Sequence, residues 1–198
     1  MKKVVLTGGP CAGKTTILEA IQKNFSSKIA VVPEAATLLL SGGFPAPGKQ
    51  LKFSADWQDA FQAAIIEVQR SLERSYQLIA EEKGIELLIC DRGILDGIAY
   101  TSGGESEFVE KFKVDVESTL KGYEAVIHLE SLATAKPHLY GQGHNEHRLE
   151  GLEEAKELEG KTRQAWSSHR QHVVIENKGE LEDTLLKVTK IIESIINS

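Results

Sequence analysis

The sequence has few cysteines: Cys11 and Cys90 are the only two among 198 residues. Two cysteines this far apart do not form the disulfide framework of a small secreted domain, and their scarcity suits a reducing compartment. The opening residues do not resemble a secretory signal, because Met1-Lys2-Lys3 leads into a short apolar segment and then glycines. We therefore expect a cytoplasmic protein.

Long hydrophobic runs and an excess of basic charge are also missing. No apolar stretch approaches the roughly 20 residues that span a bilayer, so we expect no transmembrane segment. The formal net charge is -6, whereas proteins that bind nucleic acid usually present a basic face, so general nucleic-acid binding is not expected. The length fits one well-buried α/β domain over residues 1–198. A homodimer stays open.

The sequence does contain short apolar segments that alternate with helical patterns. Five of these segments are predicted strands: Val4–Leu6, Ile29–Val32, Glu86–Cys90, Ala125–Leu129 and Val173–Ile175. Strands that alternate with helices predict a parallel sheet with helices on both faces, which is a three-layer α/β/α sandwich. Ligands of such sheets bind at the carboxyl ends of the strands.

Three helical patterns give expectations that the structure can check. Ser54 is an N-cap residue type before a long helix, whose predicted apolar stripe consists of Phe61, Ile65, Val68, Leu72 and Ile79. A second helix is predicted from the spacing of Phe108, Phe112, Val116 and Leu120. A charged helix is predicted from about Leu149 to Trp166, and the run Glu153–Lys161 within it is typical of a solvated face with i,i+4 ion pairs.

The loop after the first strand carries the most specific motif. Gly8-Gly9-Pro10-Cys11-Ala12-Gly13-Lys14-Thr15 fits G-x-x-x-x-G-K-[ST] at every defined position, between a predicted strand and a predicted helix. Glycines let backbone N–H groups turn inward around phosphates, and the positive end of the helix dipole adds to this. Lys14 is predicted to reach the β- and γ-phosphates and the Thr15 hydroxyl to bind Mg²⁺. Cys11 is either a reactive thiol or a small residue that the loop tolerates.

Acidic residues follow two other predicted strands. Asp91 comes at the end of the third strand, where a carboxylate would hold Mg²⁺ through water, and Arg92 beside it could neutralise phosphate oxygens during transfer. The alternative for this pair is a salt bridge at the strand end. Glu34 ends the second strand, and three interpretations stay open: a base for a substrate hydroxyl, a ligand of a substrate ribose, or a cap of the helix at Ala35.

The segment from about 131 to 148 is rich in Gly, His and Asn and ends at Arg148. Small phosphotransferases often close such a segment over the nucleotide, where an arginine stabilises the charge of the transition state and water is excluded. Arg148 and Lys136 are the candidates for the residue that stabilises this charge, and Arg163 is a weaker candidate. The alternative is a solvated loop.

Two further patterns bear on the ligands. Asn177-Lys178-Gly179-Glu180 approaches the N-K-x-D signature that reads guanine, which keeps GTP open beside ATP, although a turn before a helix explains it as well. The histidines, including the pair His144 and His147, do not have the spacing and cysteine support of a zinc site. Mg²⁺ is therefore the only metal that we expect.

Several blocks together carry a family resemblance: Gly8-Gly9-Pro10, Lys14-Thr15-Thr16, Pro33-Glu34-Ala35-Ala36, Asp91-Arg92-Gly93-Ile94-Leu95-Asp96, Asn145 with Arg148 and Glu154, Ala165-Trp166 with His169, and Ile175 with Asn177. Over essentially its whole length the chain resembles the NadR/translocation-defect-type AAA domain. That P-loop domain occurs in bacterial ribosylnicotinamide kinases, in small ATPases and in insect proteins that bind GTP and phosphatidic acid.

The resemblance implies a P-loop NTPase fold with a mainly parallel five-stranded sheet in the kinase-like order 2-3-1-4-5. It also implies a nucleoside-kinase-like core in which Glu34, Asp91 and Arg92 have substrate and Mg²⁺ roles. From Ser131 through Asn177 the chain resembles the translocation-defect branch more than the riboside kinases. The chain shows no arginine-finger module, so we expect no hexameric motor.

The sequence thus predicts a Mg²⁺-dependent P-loop phosphotransferase or NTPase that transfers the γ-phosphate of ATP, which is favoured over GTP, to a hydroxyl of a small nucleoside-like acceptor. Phe44, Phe53 and Trp57 are the aromatic residues best placed to stack a base. The alternative is a GTP- or ATP-regulated protein with slow hydrolysis, whose closure exposes a site for a lipid or a protein.

The predicted site residues fall into three groups. The catalytic residues are Lys14, Glu34, Asp91, Arg92 and Arg148. The nucleotide-binding residues are Gly8, Gly9, Pro10, Cys11, Ala12, Gly13, Lys14, Thr15, Thr16 and Asn177. The residues predicted to hold Mg²⁺ are Thr15 and Asp91.

Overall fold

A computed structural model describes residues 1–48, 51–140 and 151–198. The strands are β1 (Lys2–Gly8), β2 (Ile29–Val32), β3 (Leu87–Asp91), β4 (Ala125–Leu129) and β5 (His172–Ile175). The α-helices are α1 (Lys14–Asn24), α2 (Ala35–Ser41), α3 (Ala55–Lys83), α4 (Gly104–Phe112), α5 (Val116–Lys121), α6 (Leu132–Ala135), α7 (Leu152–Ala165) and α8 (Leu181–Ile196). Segments of 3₁₀ helix cover Ile94–Tyr100 and Pro137–Leu139.

The five strands form one parallel sheet in the order β2-β3-β1-β4-β5, so the predicted fold class and strand order are confirmed. The three central strands β1, β3 and β4 are mostly aliphatic and almost entirely buried, as expected where helices cover both faces of a parallel sheet. The register pairs Leu6 with Asp91 and Gly8 with Leu129. The carboxyl ends of β3, β1 and β4 therefore lie side by side at one edge of the sheet.

One hydrophobic core lies on each face of the sheet. On the first face, Ile17 and Ile21 of α1 and Val188 and Ile192 of α8 pack against β1, β3 and β4. On the second face the core includes Ile66 of α3, Leu95 and Ile98 of the 3₁₀ segment, Phe108 of α4 and Trp166 after α7. These two cores make the three layers of the predicted sandwich.

Helix α3 begins as predicted but turns a different face inward. The Ser54 side chain caps it by accepting a hydrogen bond from the Trp57 N–H at 3.1 Å. The predicted apolar stripe is confirmed only in part: Phe61 is buried and Leu72 packs against the core, but Ile79 is 42% exposed. The other buried residues of the helix are Gln62, Ile66, Gln69, Glu73 and Ala80. Polar residues are buried on this face because they find partners there; for example, Gln69 Nε2 donates to Glu73 Oε1 at 3.0 Å.

Two further helical expectations differ from the structure. The helix predicted over Phe108–Leu120 is two helices, because the backbone of Lys113 is left-handed (φ 51°) and ends α4. In α7, Glu153 and Glu157 form the expected exposed ion pairs with lysines, but Glu159 is buried and was wrongly placed on the solvated face. None of the helices in the described ranges is long and apolar enough to cross a membrane.

Candidate functional site

The loop between β1 and α1 turns where a side chain would not fit. Gly8 has φ 144°, and a Cβ at this position would lie 2.2 Å from the Leu129 carbonyl oxygen of the neighbouring strand. Gly13 precedes α1 with a left-handed backbone. Ala12 is buried under the loop, while Thr15 and Thr16 lie exposed in the first turn of α1. The loop therefore has the backbone turns and the exposed hydroxyl that a P-loop needs.

Lys14 lies folded over this loop. Its Nζ donates to the carbonyl oxygens of Gly8 at 3.2 Å and Gly9 at 3.4 Å. Burial of the ammonium group, followed by the nearby Arg92 guanidinium, lowers the pKa of Lys14 from its usual value to about 8. A bound phosphate would favour the charged form, because it places negative charge beside a poorly solvated cation.

Asp91 ends β3 at the same edge of the sheet, and within the described part of the chain one of its carboxylate oxygens has no protein partner. Oδ1 is buried without a hydrogen-bond partner among the described residues. Burial, and then the negative charge of Glu34, raise the pKa of Asp91 to about 6. An oxygen in this state is suited to a hydrated Mg²⁺, which usually takes only one or two carboxylates together with substrate phosphates and water.

Arg92 links three neighbouring segments at this edge. Its backbone is left-handed (φ 69°). Nε donates to Glu34 Oε1 at 2.7 Å, and Nη1 donates to the Gly8 carbonyl at 3.2 Å and to Asp96 Oδ1 at 3.1 Å. Burial opposes its charge, but Tyr100, Glu34 and Asp96 raise the pKa of Arg92 well above its usual value. Arg92 thus forms salt bridges at the end of β3, but with Glu34 and Asp96 rather than with Asp91.

Glu34 occupies the N-cap position of α2, yet its side chain accepts no capping hydrogen bond from the helix backbone. Oε1 accepts from Arg92, and Oε2 accepts from the Thr37 hydroxyl at 2.5 Å. Burial would raise the pKa of Glu34, but Arg92, Thr37 and Lys14 together lower it. Of the three interpretations, the capping one is wrong, and the structure places an ionised carboxylate beside Arg92.

Asp96 is part of the site, although the sequence did not indicate a role for it. Its buried carboxylate accepts four hydrogen bonds: from the Thr7 hydroxyl, from Arg92, from the Gly93 N–H at 3.0 Å and from Trp166 Nε1 at 3.1 Å. It therefore holds Arg92 against the end of β1. The sequence feature that could have indicated Asp96 is its place three residues after Gly93. That spacing predicts a contact with Arg92 only once the 3₁₀ turn at Ile94–Tyr100 is known.

Ser131 and Glu159 support the other side of the loop, and the sequence did not indicate them. The Ser131 hydroxyl donates to the Pro10 carbonyl, and its N–H donates to Glu159 Oε2 at 3.0 Å. Glu159 Oε2 also accepts from the Thr134 hydroxyl at 2.7 Å. A Cβ on Gly9 would lie 2.9 Å from Glu159 Cβ, so α7 packs directly on the P-loop. Ser131 follows β4 at the sheet edge, as Glu34 follows β2.

The remaining predicted residues are placed less centrally. Arg148 lies outside the described residues. Lys136 donates to the Gly179 carbonyl at 2.6 Å, which joins the start of the predicted lid to the loop after β5. In that loop Asn177 is buried, and its N–H donates to Glu130 Oε2 at 3.1 Å.

A family model described as an AAA domain matches residues 3–183. The chain belongs to the AAA domain family. The match spans the P-loop, Glu34, the Asp91–Asp96 turn and the loop at Asn177, so the resemblance seen in the sequence is confirmed at the level of an AAA-type P-loop domain. Comparison with curated proteins gave no significant match. Membership in the AAA domain family, together with the loop geometry, indicates nucleotide binding and activity of the NTPase or kinase type.

Proposed function

We propose that this AAA domain protein is a Mg²⁺-dependent phosphotransferase that transfers the γ-phosphate of ATP to a hydroxyl of a small nucleoside-like acceptor. The observation that carries the proposal is the link from Glu34 through Arg92 to the P-loop carbonyl of Gly8. It places an ionised carboxylate and a guanidinium beside the loop that would hold the γ-phosphate. A hydrolase that uses only water has less need of such a carboxylate on a neighbouring strand.

The residues at the carboxyl ends of β1, β2 and β3 have different roles in phosphoryl transfer. Lys14 exchanges its contacts with the loop carbonyls for the β- and γ-phosphates of the nucleotide. Thr15 and Asp91 would hold Mg²⁺, which when bound neutralises charge on the phosphate oxygens. Arg92 adds a fixed positive charge, because Asp96 and Glu34 hold its guanidinium in place.

Glu34 orients the acceptor. Its ionised oxygens can accept a hydrogen bond from the attacking hydroxyl and take the proton as the new P–O bond forms and the β,γ bond breaks. A lowered pKa makes Glu34 a weak base, but phosphoryl transfer passes through a loose transition state that depends more on position than on basicity.

A cluster of aromatic side chains supports a planar acceptor, with Phe44 and Phe53 in the loop after α2 and Trp57 and Phe61 in the first turns of α3. Trp57 and Phe61 are stacked with ring centroids 4.9 Å apart, and Phe44 lies 5.2 Å from Phe61. Phe53 lies 5.9 Å from Trp57 and is 67% exposed. Helix α2 begins directly after Glu34, so this aromatic cluster lies on the segment that follows the proposed acceptor carboxylate. Stacking on aromatic rings is the usual way to bind a flat heterocycle.

The test is a nucleotide-consumption assay with a panel of nucleosides and with Mg·ATP or Mg·GTP. We expect at least one nucleoside to accelerate loss of ATP and to become phosphorylated. In Glu34→Gln that acceleration should fall by about 10²-fold or more, while the Kd of Mg·ATP stays within a few-fold. Glu67→Gln, on the exposed face of α3, is the matched control. Turnover that no acceptor changes would contradict the kinase proposal.

A further inference from the structure

A cavity lies at the end of β1 that is opposite to the P-loop. It has a volume of about 410 Å³ and is lined by Lys3 of β1, by the middle of α3 and by the segment from Lys113 to Tyr123. Lys3 precedes Gly8 by five residues of extended strand, about 17 Å at the usual rise per residue. The cavity is therefore separate from the P-loop.

The charge of this cavity differs from that of the chain as a whole. Its lining contains four cationic side chains and two carboxylates, whereas the chain has a formal net charge of -6. A local surplus of positive charge in an acidic protein is unexpected unless something negative binds there.

Both carboxylates of the lining are already committed to the protein. Glu73 is buried and accepts hydrogen bonds from Lys3 Nζ at 2.8 Å, from the Tyr123 hydroxyl at 2.8 Å and from Gln69. Asp115 caps α5 by accepting from the Ser118 N–H at 3.0 Å. Neither carboxylate pairs with the remaining cations of the cavity.

Three cations are left for a ligand. Among the described residues, Arg74 and Lys113 form no ion pair, and the ion pair of Arg70 is with the exposed Glu67 on its own helix. Arg70, Arg74 and Gln77 follow one another at i, i+4 and i+7, so all three lie on one face of α3. Two arginines one turn apart repel each other, and a shared anion would remove that repulsion.

Lys113 faces these residues from the end of α4. Its left-handed backbone is a conformation that glycine usually supplies at the end of a helix, so a lysine at this position is strained. The turn at Lys113 separates α4 from α5, and Lys113 lies in the lining of the cavity.

We propose that this cavity binds a small phosphate-bearing molecule at a site distinct from the nucleotide site. Arginine binds phosphate through two parallel N–H groups, and lysine adds a point charge. Gln77 and the hydroxyl of Ser118 supply further hydrogen-bond donors in the lining. A concave site of this volume suits a small molecule and is within the usual size of ligand pockets.

The test is calorimetric titration of pyrophosphate into Lys14→Ala protein, so that the P-loop contributes little. We expect binding by this protein, at least tenfold weaker binding when Arg74→Ala and Lys113→Ala are added, and unchanged binding when Lys83→Ala and Lys190→Ala are added instead. The control pair removes the same charge from exposed positions on α3 and α8. Arg74→Lys should bind with intermediate affinity, because it keeps the charge but loses the planar fork.

Because Arg74 and Lys113 are exposed, their removal should leave the circular dichroism spectrum unchanged and the melting temperature no lower. The proposal is overturned if Lys14→Ala protein with the intact cavity does not bind pyrophosphate. It is also overturned if the control pair weakens binding as much as the cavity pair, since that would show attraction to net charge alone. Inorganic phosphate in place of pyrophosphate should bind more weakly at the same site.

Discussion

At the scale of single residues, the buried carboxylate of Asp91 is suited to bind a ligand, but its charge destabilises the protein without one. Its buried oxygen lacks a partner among the described residues, and its pKa is raised to about 6. In the unfolded chain an aspartate titrates near 3.9. The folded state therefore binds an extra proton between these values, so stability from this group is present at low pH and lost as the pH rises through 6.

Asp91→Asn should reverse this loss. Without Mg²⁺ or nucleotide, we expect the variant to be more stable than the wild type by on the order of 2 to 3 kcal/mol at pH 7. The difference should shrink as the pH falls below 6 and nearly vanish near pH 4. Urea unfolding between pH 4.5 and 7.5 measures it. A variant less stable than the wild type at pH 7 would contradict the conclusion that burial destabilises the Asp91 charge.

Single residues also show what the sequence could predict. The P-loop residues were predictable because their spacing is fixed within one turn between a strand and a helix. Glu34 and Asp91 were predictable in place, because carboxyl ends of parallel strands share one edge of the sheet. Asp96 and Glu159 were not, because their partners Trp166 and Ser131 are 70 and 28 residues away in the chain.

At the scale of elements, α7 acts as a brace for the P-loop, and Glu159 makes the contact. Glu159→Gln keeps the size of the side chain and one acceptor oxygen but removes the negative charge, so the two hydrogen bonds that Oε2 accepts from the Ser131 N–H and the Thr134 hydroxyl lose their charge assistance. We expect nucleotide affinity to fall roughly 3- to 10-fold, the equivalent of one net hydrogen bond. Equilibrium nucleotide binding measures the change.

The matched control is Glu157→Gln, on the exposed face of the same helix. It should leave nucleotide affinity unchanged. A positioning role for Glu159 also predicts a faster nucleotide off-rate with little change in melting temperature. Equal affinities for the two variants would refute the brace.

The elements that the sequence misjudged depend on features that apolar spacing does not report. Apolar spacing predicted the stripe on α3, but Gln69 and Glu73 are buried on that face because Glu73 accepts hydrogen bonds from Gln69, Lys3 and Tyr123. The helix over Phe108–Leu120 broke because Lys113 adopts a backbone conformation that its residue type does not announce. Periodicity reports which face is apolar, and it does not report which polar groups will find partners.

At the scale of the whole molecule, nucleotide binding and folding are linked. A ligand at 100 times its Kd stabilises the native state by about 2.7 kcal/mol, which corresponds to roughly 5 to 10 °C in melting temperature for a chain of this size. We expect Mg·ATP to produce such a shift in the wild type. In Lys14→Ala the shift should be nearly absent, because the ammonium that pairs with the phosphates is gone.

Lys23→Ala, an exposed change in the last turn of the same helix, is the control for that experiment and should retain the full shift. An unchanged shift in Lys14→Ala would contradict nucleotide binding by this loop. The sheet order was predictable at this scale because the sequence resembled a family with a known order. The cavity at the far end of β1 was not, since it forms only where α3, α4 and α5 meet.

The hydrogen bond between Trp166 and Asp96 gives the protein an optical signal of its own. Trp166 is completely buried, whereas Trp57 is only partly covered, so the two indoles emit at different wavelengths. Trp166 and Arg92 both donate hydrogen bonds to Asp96, so only the Asp96 carboxylate separates the indole from the guanidinium beside the P-loop. When the phosphates of a nucleotide attract the Arg92 guanidinium, the electric field at the Trp166 indole changes. The short-wavelength emission should therefore report nucleotide binding in real time without any added dye.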